Sequence, residues 1–157
     1  MSAEQTFALL ARVPLGPVGD ALGGRLLEFD GATGTAVLEF RPGPLHTNLW
    51  GTVHGGIVTA MLDLCTAVAG IGASGMTQSC PTIEMAQRFL KPVPVGRVLA
   101  RGRAVQLGRT IAYLEGAILS PAGEVLATGT VTSRALARDW ATALALPPGG
   151  RHEVTGG

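Results

Sequence analysis

The chain has 157 residues, which is the length of one ordinary domain. Hydrophobic residues make up 46% of it, enough for a full core, but charged residues make up only 15%, against roughly 25% in average soluble domains. Its 12 basic and 11 acidic residues nearly cancel, which argues against a nucleic-acid binder and against a disordered chain.

The first predicted elements are a short helix and two strands. The helix is expected over residues 3–13, where apolar residues recur at helical spacing and two prolines follow. The strands are predicted over residues 25–30 and 35–41, because a Gly-Ala-Thr-Gly segment between them is typical of a hairpin turn. A loop rich in turn-forming residues then covers residues 42–53.

A long central helix is predicted over residues 55–71, since apolar residues recur there at steps of three and four. The segment is apolar almost all round, so other structure should surround it. Asp63 and several glycines and threonines interrupt it, which favours a buried helix over a membrane span.

The last half of the chain is predicted to be β-structure. Strands are expected over residues 82–90, 97–107, 109–120 and 125–134, and the short turns between them favour antiparallel pairing. The sequence therefore predicts one α+β domain over residues 1–138, an antiparallel sheet wrapped around one central helix. Residues 139–157 are rich in Ala, Pro and Gly, and we expect a flexible tail there.

The cysteines and histidines limit the kinds of site that the chain can contain. Cys65 and Cys80 form neither a disulfide framework nor a metal motif, so we interpret them as buried reduced thiols. The three histidines, His46, His54 and His152, lack metal-ligand spacing, and neither a metal nor another cofactor is expected. Two reduced thiols favour a cytoplasmic protein. The first residues lack the apolar core of a signal peptide, and no membrane contact is expected.

The functional signal lies where the predicted central helix begins. The first amides of a helix have no internal partner and carry the positive end of the helix dipole. Glycines at positions 55 and 56 let a ligand approach that backbone closely. Such a site can polarise a carbonyl and hold a developing oxyanion, and the side-chain amide of Asn48 can bond the same group.

Asp63 is the second candidate group, because it is the only acidic residue between Glu39 and Glu84 and lies among apolar residues. A structural role, such as capping a loop amide or pairing with an arginine, stays open. It lies nine positions after His54, which on a helix is about 13–14 Å and half a turn out of phase. One reacting centre cannot touch both residues of the same helix, so joint action requires two chains. The low charge of the surface likewise indicates that other copies cover part of it.

These residues resemble the motif of a known family. Asn48, the run His54-Gly55-Gly56 and the downstream Asp63 resemble the hotdog-fold thioesterases, in particular the phenylacetate-pathway (PaaI-like) group of acyl-CoA thioesterases. The motif at the helix start is fairly specific, whereas the β half of the chain is only generically similar.

The resemblance covers roughly residues 20–134, and the sequence runs at residues 81–84 and 89–92 also resemble those of this group. It implies the hotdog fold, hydrolysis of an acyl-CoA thioester, and a homodimer that pairs again into a dimer of dimers. The acyl group stays open between an aromatic one, such as phenylacetyl or hydroxybenzoyl, and a medium chain.

The resemblance also implies roles for single residues. The Gly55 amide would polarise the thioester carbonyl, and Asp63 of the neighbouring subunit would be the nucleophile or general base. Asn48 and His54 would orient the thioester and the leaving thiol, and the hydroxyl of Thr82 would place the water. Thr82 could also be an ordinary strand residue. Further predicted substrate contacts are Gly56, Leu62 and Thr66, and the candidates for binding the CoA phosphates are Arg88, Lys91, Arg97, Arg101, Arg103 and Arg109.

Two alternatives remain at this point. A non-catalytic hotdog protein that binds acyl-CoA would carry a similar motif. A hotdog hydratase or dehydratase is less favoured, because its acid would precede the histidine, whereas Asp63 follows His54.

Overall fold

One long helix packs against an antiparallel sheet in the computed structural model, which describes residues 1–145. The helices are α1 (Ala3–Leu10), α2 (Gly16–Ala21), α3 (Gly55–Ala73) and α4 (Trp140–Ala145). The strands are β1 (Arg25–Asp30), β2 (Thr35–Phe40), β3 (Gln78–Ser79), β4 (Thr82–Phe89), β5 (Val98–Leu107), β6 (Ile111–Leu119), β7 (Val125–Arg134) and β8 (Leu136–Ala137).

Six strands form one antiparallel sheet in the order β1-β2-β5-β6-β7-β4, and β3 pairs with β8 separately. Helix α3 lies across one face, mainly against β2, β5 and β6. The predicted antiparallel sheet around a central helix is therefore confirmed, and it is the arrangement of the hotdog fold. Strands β1 and β4 are the two edges of the sheet.

Helix α3 is the core of the molecule because it is apolar on nearly every side. Its 19 residues have a mean hydropathy of 1.7 over the most apolar stretch, which meets the length and composition of a membrane span. However, 56% of that stretch is buried inside the protein, as expected for the core helix of a sheet-covered domain.

A row of three glycines lets the sheet approach the α3 backbone. Gly102, Gly116 and Gly129 are direct neighbours across β5, β6 and β7. A Cβ at Gly102 would lie 2.2 Å from the carbonyl oxygen of Cys65, so no larger residue fits without moving the helix. This close contact fixes the middle of α3, including Asp63, relative to the sheet.

The helix boundaries differ from the prediction at two places. The first helix ends at Leu10 rather than at residue 13, and Pro17 lies in the first turn of α2, a helix that the sequence analysis did not predict. Proline fits there because a first-turn N–H has no partner within the helix. The central helix continues two residues beyond its predicted end, to Ala73.

All six long strands are present with ends within two residues of the prediction. The short strands β3 and β8 were not predicted, and the expected flexible tail over residues 139–157 begins with helix α4 instead. The indole of Trp140 anchors this helix by donating to the carbonyl of Gln78 at 2.9 Å. The rest of the predicted tail, residues 146–157, lies outside the described residues.

Both cysteines are buried and unpaired, which confirms that they are free thiols of the interior. Burial raises the pKa of Cys80 to about 11 and that of Cys65 further still. Neither thiol is therefore a nucleophile near neutral pH.

Glu39 of β2 ties three segments together, although it faces away from α3. Its carboxylate is 1% exposed and accepts hydrogen bonds from Arg97 at 2.5 Å, Arg41 at 2.9 Å and Arg25 at 3.2 Å. The Arg97 bond first, and then the Arg25 bond, lower the pKa of Glu39 from 4.5 to about 2.

This cluster predicts an acid-sensitive part of the stability. Because the folded pKa of Glu39 is lowered, its stabilisation is complete above pH 4.5 and is lost as the pH falls towards 2. We expect Glu39→Gln to lower the urea midpoint at pH 7, and the gap to wild type to narrow at pH 3. Glu115→Gln is the matched control, because its pair with Arg103 is exposed. Equal losses in both variants at pH 7 would contradict the assignment.

Candidate functional site

The start of α3 is held in place by the loop before it and by the segment after β4. A bridge joins Thr47 to Val53, and the Val53 N–H donates to the carbonyl of Val93 at 2.8 Å. The N–H of His54 donates to the carbonyl of His46 at 2.8 Å. Three separate hydrogen-bonded contacts therefore fix the position of the first turn.

Gly55 presents an open backbone amide at this point. It is the first residue of α3, and no group in residues 1–145 accepts a hydrogen bond from its N–H. The Gly56 N–H, by contrast, already donates to Nδ1 of His54 at 2.9 Å, so it is not free for a ligand. The Phe89 ring lies 3.4 Å from where a Cβ on Gly55 would stand. An amide with the helix dipole behind it thus lies next to an aromatic ring.

A groove of about 290 Å³ lies beside Gly55. Of the predicted residues, Asn48 and Lys91 line it together with Gly55. Asn48 holds its own loop: its Oδ1 accepts from the N–H of Trp50 at 3.0 Å, and its amide donates to Thr52 at 3.0 Å. The ammonium of Lys91 pairs with the carboxylate of Glu124. The remaining lining residues are Thr52, Val53, Val58, Phe89, Leu90, Pro92 and Val93.

Asp63 and Thr82 meet at the other end of β4. The Thr82 hydroxyl, on the edge strand β4, donates to Oδ1 of Asp63 on α3 at 2.5 Å. A bulge at Ile83 makes this possible, because two residues of β4 oppose one of β7 between Thr82 and Glu84. Without it, strict alternation would turn Thr82 to the outer face together with Glu84.

The two halves of the predicted site are therefore separate within one chain. Asp63 lies eight positions after Gly55 in α3, which is about 12 Å along the helix axis. Strand β4 runs beside α3 in the opposite direction, so Phe89 lies next to Gly55 and Thr82 lies next to Asp63. Each end of this edge strand carries one half of the predicted site.

Four predicted substrate contacts lie elsewhere. Leu62 and Thr66 are both 0% exposed, packed under Gly116, and offer no surface to a ligand in this chain. Arg88 faces away from α3, where it lines an outer groove with Arg101 and Arg103. Arg109 lies in the turn between β5 and β6, at the opposite end of the sheet from Gly55.

Three residues of the site escaped the sequence analysis: Thr59, Gln87 and Phe89. Gln87 donates to the Thr59 hydroxyl at 2.6 Å, midway between the two halves. For Gln87 and Phe89 a sequence signal was available. Residues 85, 87 and 89 alternate along β4, which places their side chains on the face of the sheet that packs against α3. Within residues 1–145, no group of three His, Cys, Asp or Glu side chains is placed to hold a metal ion.

Comparison with known proteins gives a consistent result. A family model described as the thioesterase superfamily matches residues 50–127, which include Gly55, Asp63 and Thr82. The fold is similar to the crystal structure of a phenylacetic acid degradation-related protein from Ralstonia eutropha JMP134. The two are 28% identical with a TM-score of 0.71, and the match covers 81% of this chain and 96% of that one.

Two further proteins are similar over different lengths. A Streptococcus mutans UA159 protein, solved with bound acetyl CoA, shares the fold at 20% identity and a TM-score of 0.64, over 72% of this chain and 88% of that one. A Caenorhabditis elegans protein provisionally named an esterase is 35% identical over 71 residues, which is 45% of this chain. The match spans 41% of the length of that curated relative.

Proposed function

Because the chain belongs to the thioesterase superfamily and has the hotdog fold of its phenylacetate-pathway (PaaI-like) members, we propose that it hydrolyses acyl-CoA thioesters to a free acid and CoA. The observation that carries the proposal is the arrangement along β4. An open helix-start amide lies at one end of this strand, and a carboxylate hydrogen-bonded to a hydroxyl lies at the other. These are the two kinds of group that hydrolysis of a thioester needs.

We propose that two copies of the chain complete the site by pairing their β4 strands. β4 is an edge strand of eight residues with exposed apolar side chains, Ile83 at 59% and Phe89 at 53%. Such an edge is a template for another strand. Two copies related by a two-fold axis run antiparallel, so the Thr82 end of one strand lies beside the Phe89 end of the other. Asp63 of one subunit then faces Gly55 of its partner, and the dimer has two equal sites.

The chemistry at each site follows from these groups. The Gly55 N–H donates to the thioester carbonyl oxygen and holds the negative charge that develops on it. Asp63, as general base, takes a proton from a water that Thr82 orients, while the water oxygen bonds to the carbonyl carbon. The tetrahedral intermediate collapses, the C–S bond breaks, and CoA leaves as the thiol after receiving the proton that Asp63 took from the water, which regenerates the carboxylate. Attack by Asp63 itself, through an anhydride that water then hydrolyses, uses the same positions.

Recognition of the acyl group and of CoA is the finer part of the proposal. Most of the residues that line the groove at Gly55 are apolar and one is the aromatic Phe89, which suits an aromatic or a medium-chain acyl group. Among the predicted cations of residues 1–145, Lys91 is the one that lines this groove, so we assign it to the CoA phosphates before Arg88 and Arg109. A second pairing of dimers and a cytoplasmic location complete the proposal.

The test is release of free CoA from phenylacetyl-, hydroxybenzoyl- and medium-chain acyl-CoA, followed with a thiol reagent. We expect saturable hydrolysis of at least one of these classes. If calorimetry shows binding of these acyl-CoA compounds but no CoA is released from any of them, the protein is a non-catalytic acyl-CoA binder and the proposal is wrong.

Thr82 gives a more local prediction. Thr82→Val keeps the shape of the side chain but removes its hydrogen bond to the Asp63 carboxylate. A hydrogen bond to a charged group contributes about 1.5–3 kcal/mol, so we expect kcat to fall about ten- to hundredfold. Thr82→Ser restores the hydroxyl and should recover most of the rate. An unchanged kcat in Thr82→Val would remove Thr82 from the site.

A further inference from the structure

His54 is held in one orientation by a chain of hydrogen bonds that starts at the sheet edge. Gln87 of β4 donates from Nε2 to the Thr59 hydroxyl at 2.6 Å, and this hydroxyl donates to the carbonyl of Gly55 at 2.8 Å. The same peptide group carries the Gly56 N–H, which donates to Nδ1 of His54 at 2.9 Å. The chain of donors therefore runs in one direction, from Gln87 to His54.

We propose that Gln87 and Thr59 are positioning residues, which hold His54 as the tautomer with its proton on Nε2. Nδ1 accepts a hydrogen bond, so it carries no proton in the neutral ring, and the proton lies on Nε2. His54 is exposed, and no group in residues 1–145 is bonded to its Nε2. This inference rests on the proposed function together with the role that the resemblance implies for His54, which is to orient the thioester and the leaving thiol, here through Nε2–H.

We call this chain of hydrogen bonds from Gln87 through Thr59 to His54 the relay. It strengthens the bond from the Gly56 N–H to Nδ1 of His54 through the peptide group between Gly55 and Gly56. A hydrogen bond accepted by the Gly55 carbonyl polarises the planar peptide unit and makes the Gly56 N–H a better donor. The Thr59 oxygen also accepts from Nε2 of Gln87, so its one proton points to the Gly55 carbonyl, and this bond fixes the orientation of the Gln87 amide. The Gln87 Oε1 is then buried without a partner among the described residues. Because β4 is an edge strand, the relay begins where the proposed partner strand adds.

The experiment reads the tautomer directly, without substrate. Protein labelled with ¹⁵N-histidine is studied by NMR at a pH where the ring is neutral, with His54→Asn used for assignment. In the wild type we expect Nε2 of His54 to be protonated and Nδ1 not. Thr59→Val and Gln87→Leu should each raise the fraction protonated at Nδ1, and Thr59→Ser should restore the wild-type ratio.

Two controls are built into the chain. His46 also accepts a backbone hydrogen bond at Nδ1, from the Gly43 N–H at 2.9 Å, but without the relay, so its tautomer should not change. Thr6→Val removes the same kind of hydroxyl bond from α1, far from the site, and should leave His54 unaffected. Melting temperatures show whether each variant is folded.

Kinetics give a second readout. Loss of one neutral hydrogen bond should lower kcat about two- to tenfold with little change in KM, and Thr59→Ser should recover it. If Thr59→Val and Gln87→Leu melt earlier but keep the wild-type His54 tautomer, the two residues are structural only and the inference is wrong. A shifted tautomer in a protein that hydrolyses no thioester would instead leave the relay standing and overturn the proposed function.

Discussion

Asp63→Asn is expected to lower kcat for CoA release by about 10² to 10⁴ while the protein stays folded and oligomeric. A positioned general base typically contributes a rate factor in this range. If the Asp63 carboxylate is instead the nucleophile, asparagine cannot replace it, and the loss should be at least as large. Asparagine has nearly the same size and can still accept the hydrogen bond from Thr82, so the packing between α3 and β4 is retained. The loss should therefore lie in kcat and not in KM.

The control for this prediction is Glu115→Gln, which removes an exposed carboxylate from the outer face of the sheet. It should keep wild-type kcat and a similar melting temperature. Size-exclusion chromatography and thermal melts of Asp63→Asn distinguish a catalytic loss from unfolding. If Asp63→Asn keeps more than half of the wild-type kcat, the carboxylate is not the base and the proposed mechanism fails.

The fold could be predicted from the sequence because its elements have clear periodicities. The apolar period of α3 and the alternation of the strands identified every long element, and the turns between strands fixed the antiparallel pairing. Local elements anchored by a single side chain were missed. Trp140 and its bond to Gln78 hold α4 in a segment whose composition predicts flexibility.

The candidate site was predicted only in part, since its geometry depends on register. Thr82 reaches Asp63 because of the bulge at Ile83, which no local pattern reveals. Leu62 and Thr66 were expected in the acyl pocket, but glycines aligned across three strands let the sheet cover them completely. Neither the bulge nor the glycine row can be recognised before the strands are paired.

The separation of His54 from Asp63 could be predicted from the sequence, because helix geometry alone prevents both residues of one helix from contacting the same reacting centre. The structure adds β4 as the element that can bring them together between chains. It places Phe89 and Thr82 at opposite ends of one exposed edge, next to Gly55 and Asp63 respectively. This arrangement turns the shared site into a quantitative prediction about mixed oligomers.

Mixing Asp63→Asn with His54→Asn, each nearly inactive alone, is expected to restore about a quarter of wild-type activity. In a two-fold dimer with shared sites, random exchange makes half of the dimers hybrid, and each hybrid has one intact site and one with both changes. Asparagine at position 54 can still cap α3, so the helix start should survive the loss of the imidazole.

The matched control is the double variant Asp63→Asn/His54→Asn mixed with an equal amount of wild type. Shared sites leave every hybrid inactive, so about a quarter of the activity of an all-wild-type sample should remain, whereas sites within one chain would leave about half. Native mass spectrometry verifies the exchange. If the single variants exchange subunits but stay inactive together while the control keeps half, Asp63 and His54 act within one chain. The reacting carbonyl would then have to bind away from the Gly55 amide, because about 12 Å of helix separates it from Asp63.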